Sequence, residues 1–180
     1  MNVQSDELDP PFEILEPAEW RGPVAFNSPH SGSVYPQAFL AATRLELVVL
    51  RRSEDCFVDE LLAGVVPRGN PLMRAHFPRC FVDVNREPYE LDPRMFDGKL
   101  PPFANTRSMR VAGGLGTLAR VVADAQEIYD QRLPVEEAIH YLGARESAGR
   151  SFFPAHILGR ESKFLLICAD ASAKRIQPDA

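Results

Sequence analysis

The segment that most restricts the fold of this sequence runs from residue 24 to residue 32, where a short apolar run leads into a proline, a histidine and a glycine. The apolar residues 24–26 predict a buried strand, and the proline and glycine predict that the chain turns directly after it. In open α/β sheets the carboxyl ends of the strands carry the ligand sites. His30 is therefore a candidate for metal binding or for proton transfer near neutral pH. The alternative is a turn histidine without chemistry.

Length and composition are typical of one soluble globular domain: the chain has 180 residues, of which 45% are hydrophobic and 25% are charged. The formal net charge of -5 lacks the basic excess that a nucleic-acid partner requires. No apolar run approaches the roughly 20 residues of a membrane-spanning helix, and the polar, acidic start predicts no signal peptide. The 3 cysteines are far apart and form no CxxC pair, which is typical of a reduced, cytoplasmic protein.

Hydrophobic spacing predicts several further elements. Residues 43–46 match the capping-box pattern S/T-x-x-E, which predicts a helix that starts at Thr43. A second apolar face over residues 57–62 predicts a helix that ends at Gly64. Short strands are predicted at 71–73, 80–82 and 164–168, a helical segment at 117–129, and a helix that starts at Pro134.

Two acidic residues, Glu54 and Asp55, precede the second predicted helix. The helix dipole alone favours acidic residues at that position, which is the structural alternative to a functional role. Arg86 ends an apolar run, and its guanidinium fork matches a carboxylate in two parallel hydrogen bonds, although a surface salt bridge is the alternative. A histidine and a carboxylate are also ligands of hydrolytic zinc sites that keep one position open for water. The combination favours a metal-dependent hydrolase of a small acidic amide.

These residues lie in motifs that resemble the N-formylglutamate amidohydrolase family. The motifs are residues 27–32 (NSPHSG), 52–61 (RSEDCFVDEL) and 79–88 (RCFVDVNREP), followed by 105–107 (NTR) and the glycine-rich 113–116. The resemblance covers roughly residues 12–138. It implies an α/β fold like that of zinc carboxypeptidases and of phosphorylase/hydrolase-like proteins, with a three-layer α/β/α sandwich around a mixed sheet.

The resemblance also implies roles for individual residues. His30 and Asp55 would bind zinc, with Glu54 as the alternative acid, while Asn85 and Arg86 would bind the substrate carboxylate. The reaction would be hydrolysis of N-formyl-L-glutamate, or of a related N-acyl amino acid, to formate and the amino acid, late in histidine degradation. A zinc-bound water would be the nucleophile. The expected partner is thus a small acidic N-acyl amino acid, with no nucleic acid and no membrane.

The carboxyl part departs from the family's pattern. Family members are longer, and their third metal ligand is the histidine of an Asp-Cys-His-Ser motif that has no match here. No histidine follows the strand predicted at 164–168, His156 lies in a different setting, and the family's later acid/base carboxylate also lacks a match. The sequence therefore predicts a single, truncated amidohydrolase domain in residues 1–180 with a divergent tail from about residue 139. A reading-frame disruption is one hypothesis for that tail. The alternative function is an inactive family remnant that acts as an anion-binding or interaction module.

Overall fold

The helices and strands of the chain are short and are joined by long ordered loops. A computed structural model describes residues 5–87, 89–136, 138–139 and 142, together with the backbone of residues 165–168. In chain order the elements are β1 (Phe12–Leu15), β2 (Val24–Ser28), α1 (Gln37–Ala42), α2 (Leu47–Leu50), α3 (Val58–Leu62), β3 (Leu72–Ala75), β4 (Phe96–Asp97), α4 (Met109–Ala112), β5 (Val121–Val122), β6 (Gln126–Glu127), β7 (Leu133–Pro134) and β8 (Leu165–Cys168).

A four-stranded mixed sheet in the order β1-β3-β2-β8 lies at the centre of the described residues. β2 is parallel to both of its neighbours, whereas β1 is antiparallel to β3. Parallel strands require a long crossover, and residues 29–71, between β2 and β3, form it and contain α1, α2 and α3. The mixed α/β fold class is confirmed, as are strands close to those predicted at 24–26, 71–73 and 164–168. None of the helices in the described residues is long and apolar enough to cross a membrane.

The apolar core is centred on Phe39 of α1, whose side chain is fully buried. The ring of Phe81 lies 5.3 Å from the ring of Phe39, and the ring of Tyr129 packs edge-on at 6.1 Å. These residues come from three distant parts of the sequence. Burial of such aromatic side chains is therefore what fixes the loops against the sheet.

The helix predicted to start at Thr43 is wrong. α1 ends one residue earlier, and Thr43 Oγ1 donates a hydrogen bond of 2.8 Å to the carbonyl oxygen of Ile128. Thr43 Oγ1 also accepts a hydrogen bond of 3.1 Å from the Leu45 amide. The next helix, α2, begins only at Leu47. The threonine hydroxyl therefore connects two distant loops instead of capping a helix.

Three further predictions also differ from the structure. Residues 80–82 form a turn, in which the amides of Phe81 and Val82 both donate to the carbonyl oxygen of Pro78, and not a strand. Residues 117–129 hold the β5–β6 hairpin and not a helix. The second helix, α3, is present, but the chain continues beyond Gly64 as a 3-10 helix over Ala63–Arg68. Helical residues do follow Pro134, at 135–136 and 138–139, although Pro134 itself lies in β7.

Candidate active site

The loop after β2 holds His30 and attaches it to the crossover segment. The carbonyl oxygen of His30 accepts a hydrogen bond of 3.1 Å from the amide of Asp55. Ser31 Oγ donates to the Asp55 carbonyl oxygen at 3.0 Å and accepts from the Asp59 amide at 3.2 Å. A short polar side chain after the histidine therefore fixes the segment that carries Asp55 against the end of the central strand.

Gly32 lies where this loop touches the end of β3. A Cβ atom at this position would overlap with the carbonyl groups of His76 and Phe77. The Val34 amide donates a hydrogen bond of 2.9 Å to the His76 carbonyl oxygen across the same contact. Only glycine allows this approach of two backbones. Within the PHSG segment the glycine is thus required by backbone packing, independently of any role of the histidine.

The imidazole of His30 lies between two carboxylates. Its side chain is 0% exposed; Nδ1 is 3.3 Å from Asp55 Oδ2, and Nε2 is 2.8 Å from Asp83 Oδ1. Burial alone lowers the pKa of His30, but hydrogen bonds with Asp55 and Asp83 outweigh it and raise that pKa above its ordinary value. The two acids therefore favour a positive charge at this ring, whether from a proton or from a bound cation.

Asp83 connects the histidine to the predicted arginine. Its Oδ2 is 3.0 Å from Arg79 Nη2 and 3.2 Å from Arg86 Nη2. Its Oδ1 also accepts a hydrogen bond of 2.9 Å from the backbone amide of Asn85. Burial raises the pKa of Asp83, but the hydrogen bond with His30 and the charges of His30, Arg79 and Arg86 outweigh it and hold that pKa at about 2. Asp83 is therefore an ionised acceptor that orients both the imidazole and the guanidinium.

Glu54 points to a different cluster. Its carboxylate accepts a hydrogen bond of 2.6 Å from the Tyr35 hydroxyl and lies 3.3 Å from Arg51 Nε. Burial and this bond raise the pKa of Tyr35, so the phenol is a neutral donor. Of the two adjacent acids, Asp55 is thus the one that contacts His30, and Glu54 links Tyr35 to Arg51 within the crossover segment.

Asn85 and Arg86 line a cleft of about 680 Å³. Five other polar residues share its wall, namely Glu87, Glu90, Asn105, Ser108 and Arg110. His30 and Asp55 do not line this cleft. They connect to it through Asp83, which contacts both His30 and Arg86.

The distance between His30 Nδ1 and Asp55 Oδ2 tests whether these side chains suit a zinc ion. Two ligands at about 2.0 Å from a tetrahedral zinc are roughly 3.3 Å apart, and the two atoms are 3.3 Å apart. Metal-binding histidines also donate their second ring N–H to a carboxylate, as the contact with Asp83 permits. The pair therefore fits a metal, but the described residues contain no group of three or more histidine, cysteine or acidic side chains that could hold one.

The structure thus brings together most of the residues that the sequence singled out. His30, Asp55, Asp83 and Arg86 form one connected cluster, and the backbone of Asn85 joins it. Sequence reasoning did not single out Asp83. The available signal was its position directly after the apolar run 80–82, two residues before Asn85.

The fold is that of an α/β protein with a mixed sheet. Its imidazole and two carboxylates lie together at the carboxyl end of a central parallel strand. The family model for N-formylglutamate amidohydrolase matches residues 22–147, so the chain belongs to the N-formylglutamate amidohydrolase family.

A solved structure supports the same conclusion. The chain is similar to the crystal structure of N-formylglutamate amidohydrolase from Ralstonia eutropha JMP134, with a TM-score of 0.77 and 27% sequence identity over 88% of this chain. It spans 56% of the length of that relative. No curated protein matches the chain.

Proposed function

We propose that this chain is an N-formylglutamate amidohydrolase-like protein that hydrolyses N-formyl-L-glutamate, or a related N-acyl amino acid, to formate and the amino acid. The observation that carries the proposal is the single cluster formed by His30, Asp55, Asp83 and Arg86 beside a polar cleft. Family membership supports the reaction class. A cytoplasmic place in histidine degradation belongs to the same proposal.

In this proposal His30 Nδ1 and Asp55 Oδ2 would hold a zinc ion. When bound, zinc acts as a Lewis acid and lowers the pKa of a coordinated water. Asp83 accepts a hydrogen bond from the Nε2–H of His30, which fixes the tautomer that leaves Nδ1 as a ligand. Asn85 and Arg86 orient the substrate carboxylate in the cleft.

The competing proposal is an inactive relative that binds anions without turnover. The absence of a three-residue metal group in the described part of the chain favours it, because a site with two protein ligands binds zinc weakly. The two proposals make opposite predictions for metal content and for formate release.

The test is to purify the full chain, measure zinc by mass spectrometry and follow formate release from N-formyl-L-glutamate. We expect near-stoichiometric zinc in the wild type and loss of both zinc and formate release in His30→Ala. His76→Ala is the matched control, because His76 bonds to the Pro10 carbonyl oxygen and to Glu13 outside the cluster.

The enzyme is supported if the wild type and His76→Ala both bind zinc and release formate, while His30→Ala does neither. A wild type without zinc and without formate release refutes it and supports the anion-binding relative. Formate release that persists at the wild-type rate in His30→Ala would also refute it, since the chemistry would then not depend on the cluster.

A further inference from the structure

The cleft beside the cluster contains two guanidinium groups, those of Arg86 and Arg110. They differ in their exposure to solvent and in their hydrogen bonds to other protein groups. The side chain of Arg86 is 5% exposed, whereas Arg110, in the four-residue helix α4, is exposed to solvent. A ligand that enters the cleft therefore meets two cations in different environments.

Arg86 is held by oxygen atoms of the protein on all three of its nitrogens. Nε donates to the Leu115 carbonyl oxygen at 3.1 Å, Nη1 donates to the Asn85 carbonyl oxygen at 2.7 Å, and Nη2 lies 3.2 Å from Asp83 Oδ2. A guanidinium has five N–H donors, so only part of the Arg86 fork is available to a ligand. Asp83 balances part of its charge and is shared with Arg79 and His30.

Arg110 is not balanced in this way. Within the described part of the chain no carboxylate forms a salt bridge with its guanidinium. The two acids of the cleft already accept other hydrogen bonds, Glu87 from Asn105 Nδ2 at 2.9 Å and Glu90 from the Ser108 hydroxyl. The Arg110 charge is close enough to act on Arg86, whose pKa is lowered first by burial and also by this neighbouring cation.

Neither guanidinium forms an ion pair with the cleft acids Glu87 and Glu90 in the described part of the chain. Each can therefore bind one carboxylate of a ligand that carries two. We propose that Arg110 is a specificity-determining residue of this site, which binds the second carboxylate of a dicarboxylic N-acyl amino acid while Arg86 and Asn85 bind the first. The assignment rests on the proposed function for the N-acyl part of the ligand. It does not require turnover, because carboxylate binding is a property of the cleft alone.

The test compares ligands that differ only in one carboxylate. Binding of N-formyl-L-glutamate and of N-formyl-L-glutamine, and of glutarate and its monoamide glutaramate, is measured by calorimetry on the full chain at low salt. We expect the wild type to bind each dicarboxylate about 10- to 100-fold more tightly than its amide partner, the range of one charged hydrogen-bonded pair. Arg110→Gln should abolish this ratio and leave binding of the two amides unchanged.

Arg107→Gln is the matched control. Arg107 is an exposed arginine three residues away that does not line the cleft, so its loss should leave the ratio intact. Arg110→Gln conserves helix propensity within α4, Arg107 precedes that helix, and thermal unfolding checks that each variant folds. Arg110→Lys should retain part of the ratio, because it keeps the charge without the fork.

The outcomes separate this inference from the proposed function. Selective, Arg110-dependent binding of glutarate without any formate release supports the inference and counts against the enzyme. Formate release by a wild type that binds each dicarboxylate no better than its amide supports the enzyme and overturns the inference. A ratio that survives in Arg110→Gln, or that falls equally in Arg107→Gln, also overturns it, because the selectivity would then arise elsewhere or from net charge alone.

Discussion

Replacement of Asp83 by asparagine tests the centre of the cluster directly. The side chain of Asp83 is buried, and its two oxygens contact His30, Arg79, Arg86 and the Asn85 amide. Asparagine has nearly the same shape but carries no charge, and its amide group presents N–H donors where guanidinium donors already point. The substitution therefore changes electrostatics with little change in packing.

The magnitude follows from the carboxylate's own environment. A pKa of Asp83 lowered from 3.8 to about 2 corresponds to roughly 2–3 kcal/mol of charge-dependent stability at neutral pH. Removal of one partner from a buried charge cluster typically costs about 3–5 kcal/mol. We expect Asp83→Asn to lower the free energy of unfolding by about 3 kcal/mol, measured by urea denaturation at pH 7.

Asp124→Asn is the matched control, because Asp124 is 72% exposed and its ion pair with Arg52 is on the surface. Such pairs contribute roughly 0–1 kcal/mol. If Asp83→Asn does not fold, Arg79→Gln provides a milder change, with an expected loss of about 1 kcal/mol. A loss below about 1 kcal/mol in Asp83→Asn, or an equal loss in both aspartate variants, would contradict the central role of this carboxylate.

Three further substitutions test other parts of the fold. Gly32→Ala should lower the free energy of unfolding by about 2–3 kcal/mol, because its Cβ would overlap with the Phe77 carbonyl oxygen; Gly113→Ala, with its nearest contact at 3.4 Å, is the control, and equal losses would argue against the overlap. Phe57→Asn should raise the urea midpoint, with a gain of about 0.5–1 kcal/mol, because Phe57 has a φ of 64° and a 67% exposed side chain; a clear loss would show that the ring packs in solution. Burial raises the pKa of Asp92, but hydrogen bonds from two arginines outweigh it and lower that pKa. The stability from this carboxylate is therefore present above its unfolded pKa of about 3.9 and is lost as pH falls through the lower, folded value. The difference in unfolding free energy between wild type and Asp92→Asn should be largest near pH 7 and shrink below about pH 4, and a difference that is independent of pH would contradict the role of the charge.

Local sequence was informative where one short segment determines both the element and its burial. The apolar run 24–26, followed by Pro29 and Gly32, predicted a buried strand and the turn after it, and β2 and its loop confirm this. The order of the motifs also predicted the family, which the match over residues 22–147 confirms. The boundary of the tail, near residue 139, stays a prediction because most residues beyond it lie outside the described part of the chain.

Local sequence failed where a partner far along the chain decides the outcome. The hydroxyl of Thr43 could cap a helix, but it bonds to Ile128, 85 residues away. The apolar residues 80–82 have the composition of a strand, but they form a turn from which Phe81 packs on Phe39. The hydrophobic effect has no preferred direction. An apolar run therefore predicts that a segment is buried, but it does not predict whether the segment forms a strand.

The cluster shows the same division. The sequence by itself determined that a histidine follows the central strand and that acids and an arginine occur in the motifs downstream. Only the tertiary structure decided that Asp55, rather than its neighbour Glu54, contacts His30, and that Asp83, 53 residues from His30, connects it to Arg86. The physical reason is that a side chain's partners depend on how loops from separate strands pack together, whereas sequence spacing fixes only the direction within one element.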